Sequence, residues 1–214
     1  MNKISLDSMR KKILNESKIF IVKNGWNENL FDIVANNSKF TKEEILALFP
    51  NGYLSLLNFY LFELNRLMTV NSKKLDLIRM KTHLRIREII LLRLRDLQCE
   101  KPLFKRTFFT LMLPQNHRIC LKSLYITIDQ MWFIAGDSST DFNFYSKRAI
   151  LAGIYSSTVL YWINNKSFDE TSEFLDKQLK KVSKIPRLKN HINSLSRFLP
   201  QAVSIFRSFS TTKQ

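Results

Sequence analysis

The sequence predicts an all-α fold, and three observations lead to that prediction. Only 4 glycines and 5 prolines occur among 214 residues, which is too few for a turn-rich β protein. Apolar residues recur at three- and four-residue steps through most of the chain. No segment shows a convincing alternation of apolar and polar residues, which is the pattern of a half-buried strand. Together these features predict about nine or ten helices.

The first predicted helices follow the order of a repressor-type helix-turn-helix head: one long helix, two short ones, and then a long one. The first extends over residues 4–23 and ends at Gly25, because glycine readily adopts the left-handed conformation that follows a helix. The second short helix begins with a capping box formed by Thr41 and Glu44. We place this three-helix head at residues 1–52.

The larger helical body is predicted over residues 53–185. A long amphipathic helix opens it, and a strongly basic helical pattern follows over residues 72–97. Pro102 and Pro114 bracket the next helix, and further helices follow up to the end of the body.

The segment AGDSSTDFNFYSKRAILAGIYSSTVLYW, from Ala135 to Trp162, is the most unusual part of the chain. One interpretation is a sharp helix–helix corner, with Gly136 in a left-handed exit and Thr140 capping the next helix. A corner does not require two carboxylates, two serines and a threonine flanked by large aromatic residues, which are typical of a binding patch. A catalytic site is disfavoured because no histidine or cysteine lies nearby.

A stripe of small residues follows in the same segment. Ala149, Gly153 and Ser157 lie four residues apart, so they share one face of a helix and permit close approach of a second helix. Internal packing and a subunit interface both explain this spacing.

The composition limits the possible functions. A formal net charge of +16 favours an anionic partner, namely nucleic acid, a membrane surface or an acidic protein, although a biased genome would also produce a lysine-rich sequence. The two cysteines and three histidines form no metal-ligating motif, so we expect no metal and no cofactor. No nucleophile–base pair or phosphate loop is present, and we therefore expect no catalytic residues and no enzymatic activity.

No apolar run in the sequence is long enough to span a membrane, and the N-terminus has no signal-peptide core. These features predict a soluble chain that works where it is made, and the lack of a presequence favours the bacterial cytoplasm.

The C-terminal segment, residues 186–214, contains no aspartate or glutamate and has an apolar stripe at three- and four-residue steps. Basic amphipathic helices of this composition bind membrane interfaces. A last helix packed on the core or on a second subunit is the alternative, and Pro200 would kink either one. The predicted membrane-binding residues are Leu195, Arg197, Phe198, Leu199, Phe206 and Arg207.

The segment DQMWFIAGDSSTDFNFYSKRAILAGIYSSTVLYW, residues 129–162, resembles the signature of the coenzyme Q biosynthesis accessory family, the ninth coenzyme Q protein. NGW at residues 24–26 and LFPNG at residues 48–52 also resemble that family, and the similarity extends from about residue 13 to residue 184. The resemblance implies a TetR-repressor-like fold with a vestigial helix-turn-helix head. It also implies a homodimer that binds an isoprenoid quinone or phospholipid and assists the diiron demethoxyubiquinone hydroxylase at an anionic membrane surface. That surface would be the bacterial inner membrane, where the chain is peripheral, or the matrix side of the mitochondrial inner membrane in a eukaryote.

The resemblance also implies where the sites lie. It places the hydroxylase-binding patch on Asp129, Met131, Trp132, Phe133, Asp137, Asp141, Phe142, Tyr145 and Arg148. We expect the lipid cavity to be lined by Phe108, Leu111, Leu124, Ile128 and Tyr155. Phe144 departs from the family, which usually carries tryptophan there, so a hydrogen bond from an indole is lost.

The alternative function is a TetR-type, ligand-responsive transcriptional regulator that binds DNA. Its recognition helix would be TKEEILALF, which offers Lys42 but places Glu43 and Glu44 where phosphates would lie. These acidic residues disfavour DNA binding, so we do not expect DNA to be a partner.

Overall fold

A computed structural model describes residues 3–137 and 142–184, and these contain nine α-helices and no strand. The predicted all-α class is confirmed. The helices are α1 Lys3–Asn24, α2 Leu30–Asn37, α3 Lys42–Leu48, α4 Tyr53–Ser72, α5 Thr82–Asp96, α6 Lys101–Leu111, α7 His117–Ile134, α8 Phe142–Asn164 and α9 Phe168–Lys184. Short 3-10 turns, Gln98–Glu100 and Pro114–Asn116, precede α6 and α7.

Helices α1, α2 and α3 pack on one another as the N-terminal head. Gly25 has φ of 79°, so the predicted left-handed end of α1 is confirmed. The capping box of α3 is confirmed as well: the Thr41 hydroxyl accepts from the Glu44 amide at 3.2 Å, and the Glu44 carboxylate accepts from the Thr41 amide at 2.9 Å.

Helices α4 to α9 form the body, in which α4 packs on α5 and α7, and α8 packs on α7 and α9. The predicted helix over residues 72–97 is wrong, because α4 ends at Ser72 and α5 begins only at Thr82. Since α4 and α5 pack against each other, the chain must reverse its direction between them, and a continuous helix would prevent that contact.

Arg85 holds the α4–α5 loop against the end of α7. Its guanidinium donates to the carbonyl of Met80 at 2.8 Å and to that of Ala135 at 3.0 Å. Gly136 has φ of 81°, which confirms the predicted left-handed exit, and a Cβ there would lie only 3.1 Å from Arg85 Nη1. This corner therefore has a fixed shape.

The buried apolar side chains of head and body form one continuous core. Trp26, just after α1, packs on Tyr60 of α4 with ring centroids 6.1 Å apart. Its indole Nε1 donates to the Thr107 hydroxyl of α6 at 3.0 Å, and both residues are buried. The head is thus held on the body by apolar packing and by a buried hydrogen bond.

Candidate functional site

The end of α7 and the start of α8 bring together most of the predicted docking residues. We define the corner patch as Asp129, Met131, Trp132, Phe133, Asp137, Tyr145 and Arg148. Asp141, also predicted for this patch, lies outside the described residues. Phe142 is the first residue of α8, and its side chain is outside the described part of the chain. Residues from two successive helices thus meet at one corner.

Arg148 is the centre of the corner patch, and its side chain is only 9% exposed. The guanidinium pairs with Asp129 Oδ1 at 2.7 Å and with Asp137 Oδ2 at 3.4 Å. It also donates to the Phe144 carbonyl at 3.2 Å and lies over the Phe144 ring, 3.3 Å from the centroid. These charge-assisted contacts fix the orientation of α7 relative to α8.

Lys147 adds a second cation to the same network. Its Nζ pairs with Asp137 Oδ1 at 2.7 Å and lies 5.6 Å from the centroid of the Trp132 ring. Trp132 is partly buried against the core, so its ring contributes both to the packing beneath the corner patch and to the surface of the patch. Two cations therefore converge on Asp137, whose side chain is almost fully enclosed.

Phe133 is the most prominent apolar group of the corner patch, since it is 76% exposed at the end of α7. Tyr145 is also exposed, whereas Met131 is fully buried and supports the surface from beneath. Nearby, burial and then the charge of Asp129 raise the pKa of Tyr125, which keeps its phenol neutral. An exposed aromatic ring bordered by fixed charges has the chemistry of a docking site for a protein.

A groove between α4 and α7 is a second candidate site, and it was not predicted from the sequence. It encloses about 390 Å³ and is lined by exposed apolar side chains, Phe62 and Val70 from α4 and Ile126 from α7. Amide and hydroxyl groups also line the groove. Three cations, Arg66, Lys73 and Lys122, border it, and its lining residues include no carboxylate. An amphipathic molecule with a polar or anionic head fits this combination.

Hydrogen bonds between the two helices hold the groove in shape. The Thr127 hydroxyl donates to Asn65 Oδ1 at 3.0 Å, and Gln130 Nε2 donates to the Thr69 hydroxyl at 2.7 Å. No sequence signal would have identified this site, because it depends on pairs of residues about sixty positions apart.

The five residues predicted to line a lipid cavity are distributed through the body. Ile128 and Tyr155 are buried, and the other three pack on the core while partly exposed. Tyr155 accepts a hydrogen bond from Arg93 at 2.9 Å. None of the five lines the α4–α7 groove, so their role as lipid contacts stays a prediction.

The small-residue stripe of α8 faces outward at two of its three positions, and Ser157 is half-buried. Ala149 and Gly153 are exposed, and a Cβ added at Gly153 would meet no atom within 4 Å in the described part of the chain. The described residues therefore show no internal packing at Gly153, which was one of the two interpretations of this stripe.

The predicted membrane-binding residues, from Leu195 to Arg207, lie outside the described residues. In residues 3–137 and 142–184, no single helix has both the length and the hydropathy to span a membrane, although α3 and α4, bent by 57°, pass that test as a pair. The same ranges contain no group of three or more metal-ligating side chains placed to hold an ion.

Comparison with known proteins identifies relatives of this chain. A model of the COQ9 family matches residues 118–186, which include the corner patch. The mitochondrial ubiquinone biosynthesis protein COQ9 of Bos taurus is 28% identical over 207 residues, covering 93% of this chain and 65% of that protein. The corresponding protein of Schizosaccharomyces pombe is 31% identical over 169 residues, covering 76% of this chain and 66% of that protein. The chain thus spans somewhat less than two thirds of the length of these relatives.

A solved structure confirms the predicted architecture. The TetR transcriptional regulator from Nitrosomonas europaea superposes with a TM-score of 0.68 and 15% sequence identity, covering 82% of this chain and 98% of that chain. At this identity the similarity establishes the TetR-like fold alone. The family model, the relatives and the corner motif agree with one another, and they relate this chain to the COQ9 family.

Proposed function

We propose that the chain acts in ubiquinone biosynthesis as a lipid-binding protein without catalytic activity of its own. The observation that carries this proposal is the α4–α7 groove, whose apolar walls and cationic border suit an isoprenoid quinone or a phospholipid. The relatives are named ubiquinone biosynthesis proteins, which supports a quinone precursor as the bound lipid. Burial of a prenyl tail would contribute about 25 cal/mol per Å² of apolar surface, so binding needs no covalent step.

The corner patch is the proposed docking surface for the demethoxyubiquinone hydroxylase. Phe133 offers an exposed aromatic anchor, and the ion pairs of Arg148 hold its surroundings rigid. Rigid aromatic groups bordered by charge are the residues that contribute most to protein–protein affinity. Lipid would be bound at the groove and presented to the hydroxylase at the patch, both of which involve α7.

Three further features belong to this proposal. The exposed stripe around Gly153 on α8 is the surface at which a second copy would pack to form a homodimer. The basic C-terminal sequence would bind an anionic membrane. The relatives are named as mitochondrial, so we propose the mitochondrial inner membrane rather than the bacterial cytoplasm as the location.

The alternative function, DNA-binding regulation, is less well supported by the head. Lys42 of α3 is paired with Asp32 of α2 at 2.6 Å, and Glu44 is occupied in the capping box. Glu43 is exposed in the same first turn, where it would repel a phosphate. The TetR-like fold does not by itself imply DNA binding.

Replacing Ile126 by glutamate should remove bound prenyl lipid from the purified protein. The change places a carboxylate on the apolar wall of the α4–α7 groove, and its desolvation opposes burial of the tail. Mass spectrometry of extracted lipids should show at least about a ten-fold lower prenyl content per protein. The control Leu121→Glu alters a similarly exposed residue of α7 outside the groove and should retain the lipid. Equal lipid content in the two variants would contradict the groove assignment.

Replacing Phe133 by alanine should weaken binding to the hydroxylase by roughly ten- to hundred-fold, as expected for a central aromatic anchor. The ring packs little on its own chain, so circular dichroism and the melting temperature should not change. Affinity would be measured by titration of labelled hydroxylase. The control Phe109→Ala removes an exposed ring of α6 and should leave the affinity unaltered. An unchanged affinity for Phe133→Ala would exclude the corner patch as the main contact.

A further inference from the structure

A cavity lies where the head meets the body, away from the corner patch. It encloses about 250 Å³ between α1, α4 and the end of α5. Its wall carries the four cations Lys11, Lys18, Arg66 and Arg93 and the three carboxylates Glu63, Asp96 and Glu100. The volume suits a small molecule rather than a prenyl chain.

Tyr60 lines this cavity with a polar group that has no partner. The residue is 1% exposed, and its hydroxyl has no hydrogen-bond partner among the described residues. Burial, with a further contribution from Glu100, raises the pKa of Tyr60 well above its ordinary value, so the group is a neutral donor at physiological pH. A buried hydroxyl without an acceptor is unfavourable and rare in native proteins.

Arg93 lines the same cavity with a buried charge. It is 3% exposed, and its guanidinium donates only to neutral groups: the Tyr155 hydroxyl, the Leu64 carbonyl and the Met68 sulfur. Within residues 3–137 and 142–184, no ion pair joins Arg93 to a carboxylate, whereas a buried guanidinium ordinarily has one.

Most of the other charges of the wall are paired. Lys18 pairs with Glu100 at 2.5 Å, Arg66 with Glu63 at 2.9 Å and Lys11 with Asp7 at 2.6 Å. The third carboxylate of the wall, Asp96, accepts a hydrogen bond from Asn71 but forms no ion pair among the described residues, so it opposes an incoming anion. The Tyr60 hydroxyl and the Arg93 guanidinium are the two groups of the wall that a bound anion would satisfy.

We propose that this cavity binds a small oxyanion, either a carboxylate or a phosphate group, that accepts a hydrogen bond from Tyr60 and compensates the charge of Arg93. The two groups lie on α4 and α5, and the cavity also touches α1, so the bound anion would join the head to the body. The group could belong to a soluble acid or to the headgroup of a phospholipid. The inference does not depend on the proposed lipid-binding function.

The test uses the purified 214-residue chain after removal of any bound lipid, with no membrane or hydroxylase present. Inorganic phosphate, acetate and dihexanoyl phosphatidic acid below its micelle concentration are titrated against sodium chloride at equal ionic strength. At least one of the three should raise the melting temperature in a saturable manner, because a ligand that binds only the folded state stabilises it. A response to phosphate or acetate identifies a soluble anion, and a response to the lipid alone identifies a headgroup. If none exceeds the chloride control, the cavity holds only water and the proposal is overturned.

Tyr60→Phe removes the hydroxyl oxygen alone. The variant should match or exceed the original melting temperature without ligand, since it loses an unpartnered polar atom. Its affinity for the active anion, measured by calorimetry, should fall by about ten-fold or more because a hydrogen bond to a charged group is lost. The control Tyr161→Phe alters a ring stacked on Phe174 outside the cavity wall and should leave the affinity unaltered. An equal affinity in Tyr60→Phe would overturn the site.

Discussion

Replacing Arg148 by methionine is expected to lower the free energy of unfolding by about 3 kcal/mol, as for other buried ion pairs that lose one partner. Methionine keeps an unbranched aliphatic side chain but removes the charge, including the guanidinium that lies over the Phe144 ring. Asp137, whose side chain is 5% exposed, would then keep only Lys147 as its described cationic partner. The Phe144 carbonyl would also lose its donor. Since Lys147 still compensates part of the charge, we expect the lower end of the range for such changes.

Urea unfolding followed by circular dichroism measures this effect, with the slope of the transition as the test of two-state behaviour. Lys177→Met is the matched control, because it removes a cation from an exposed ion pair with Glu173 and should cost less than about 0.5 kcal/mol. Arg148→Lys keeps the charge but loses the forked geometry, so its stability should lie between those of the original chain and Arg148→Met. A loss for Arg148→Met no greater than that of the control would show that the network does not hold the corner together.

Local chemistry made much of the fold predictable. The ends of α1 and α3 depend on groups within a few residues, namely Gly25 and the Thr41–Glu44 box, and both were confirmed. The break at residues 73–81 was missed because the apolar spacing there fits a helix, whereas packing of α5 back on α4 and the carbonyl contacts of Arg85 favour a loop. A tertiary contact of this kind overrides local periodicity.

The candidate site shows the same division. The grouping of aromatic and acidic side chains at the corner follows from their closeness in sequence, while their role in docking stays a prediction. The ion pairs of Arg148 with Asp129 and Asp137 were not, since α7 and α8 must first fold back on each other. The groove and the cavity likewise depend on pairs such as Tyr60 and Arg93, which become neighbours only when separate helices meet.

Deleting residues 187–214 is expected to abolish sedimentation of the chain with anionic vesicles. This segment contains five lysine and arginine residues and no acidic residue. At about 1 kcal/mol for each cation near an anionic surface, the electrostatic contribution alone is about 5 kcal/mol, which corresponds to more than a thousand-fold in partition coefficient. Vesicles that contain phosphatidylglycerol should bind the full chain, and vesicles of pure phosphatidylcholine should bind it weakly.

Two point variants separate the membrane interpretation from an internal one. Phe198→Ser removes an aromatic group from the apolar side of the segment and should weaken vesicle binding, while Ser196→Ala, outside the stripe, should not. If the segment instead packs on the core or on a second subunit, truncation would lower the melting temperature or dissociate a dimer while leaving vesicle binding intact. Raising the salt concentration distinguishes the two contributions to membrane binding, because it screens the cations but leaves the apolar contribution of Phe198 and its neighbours in place.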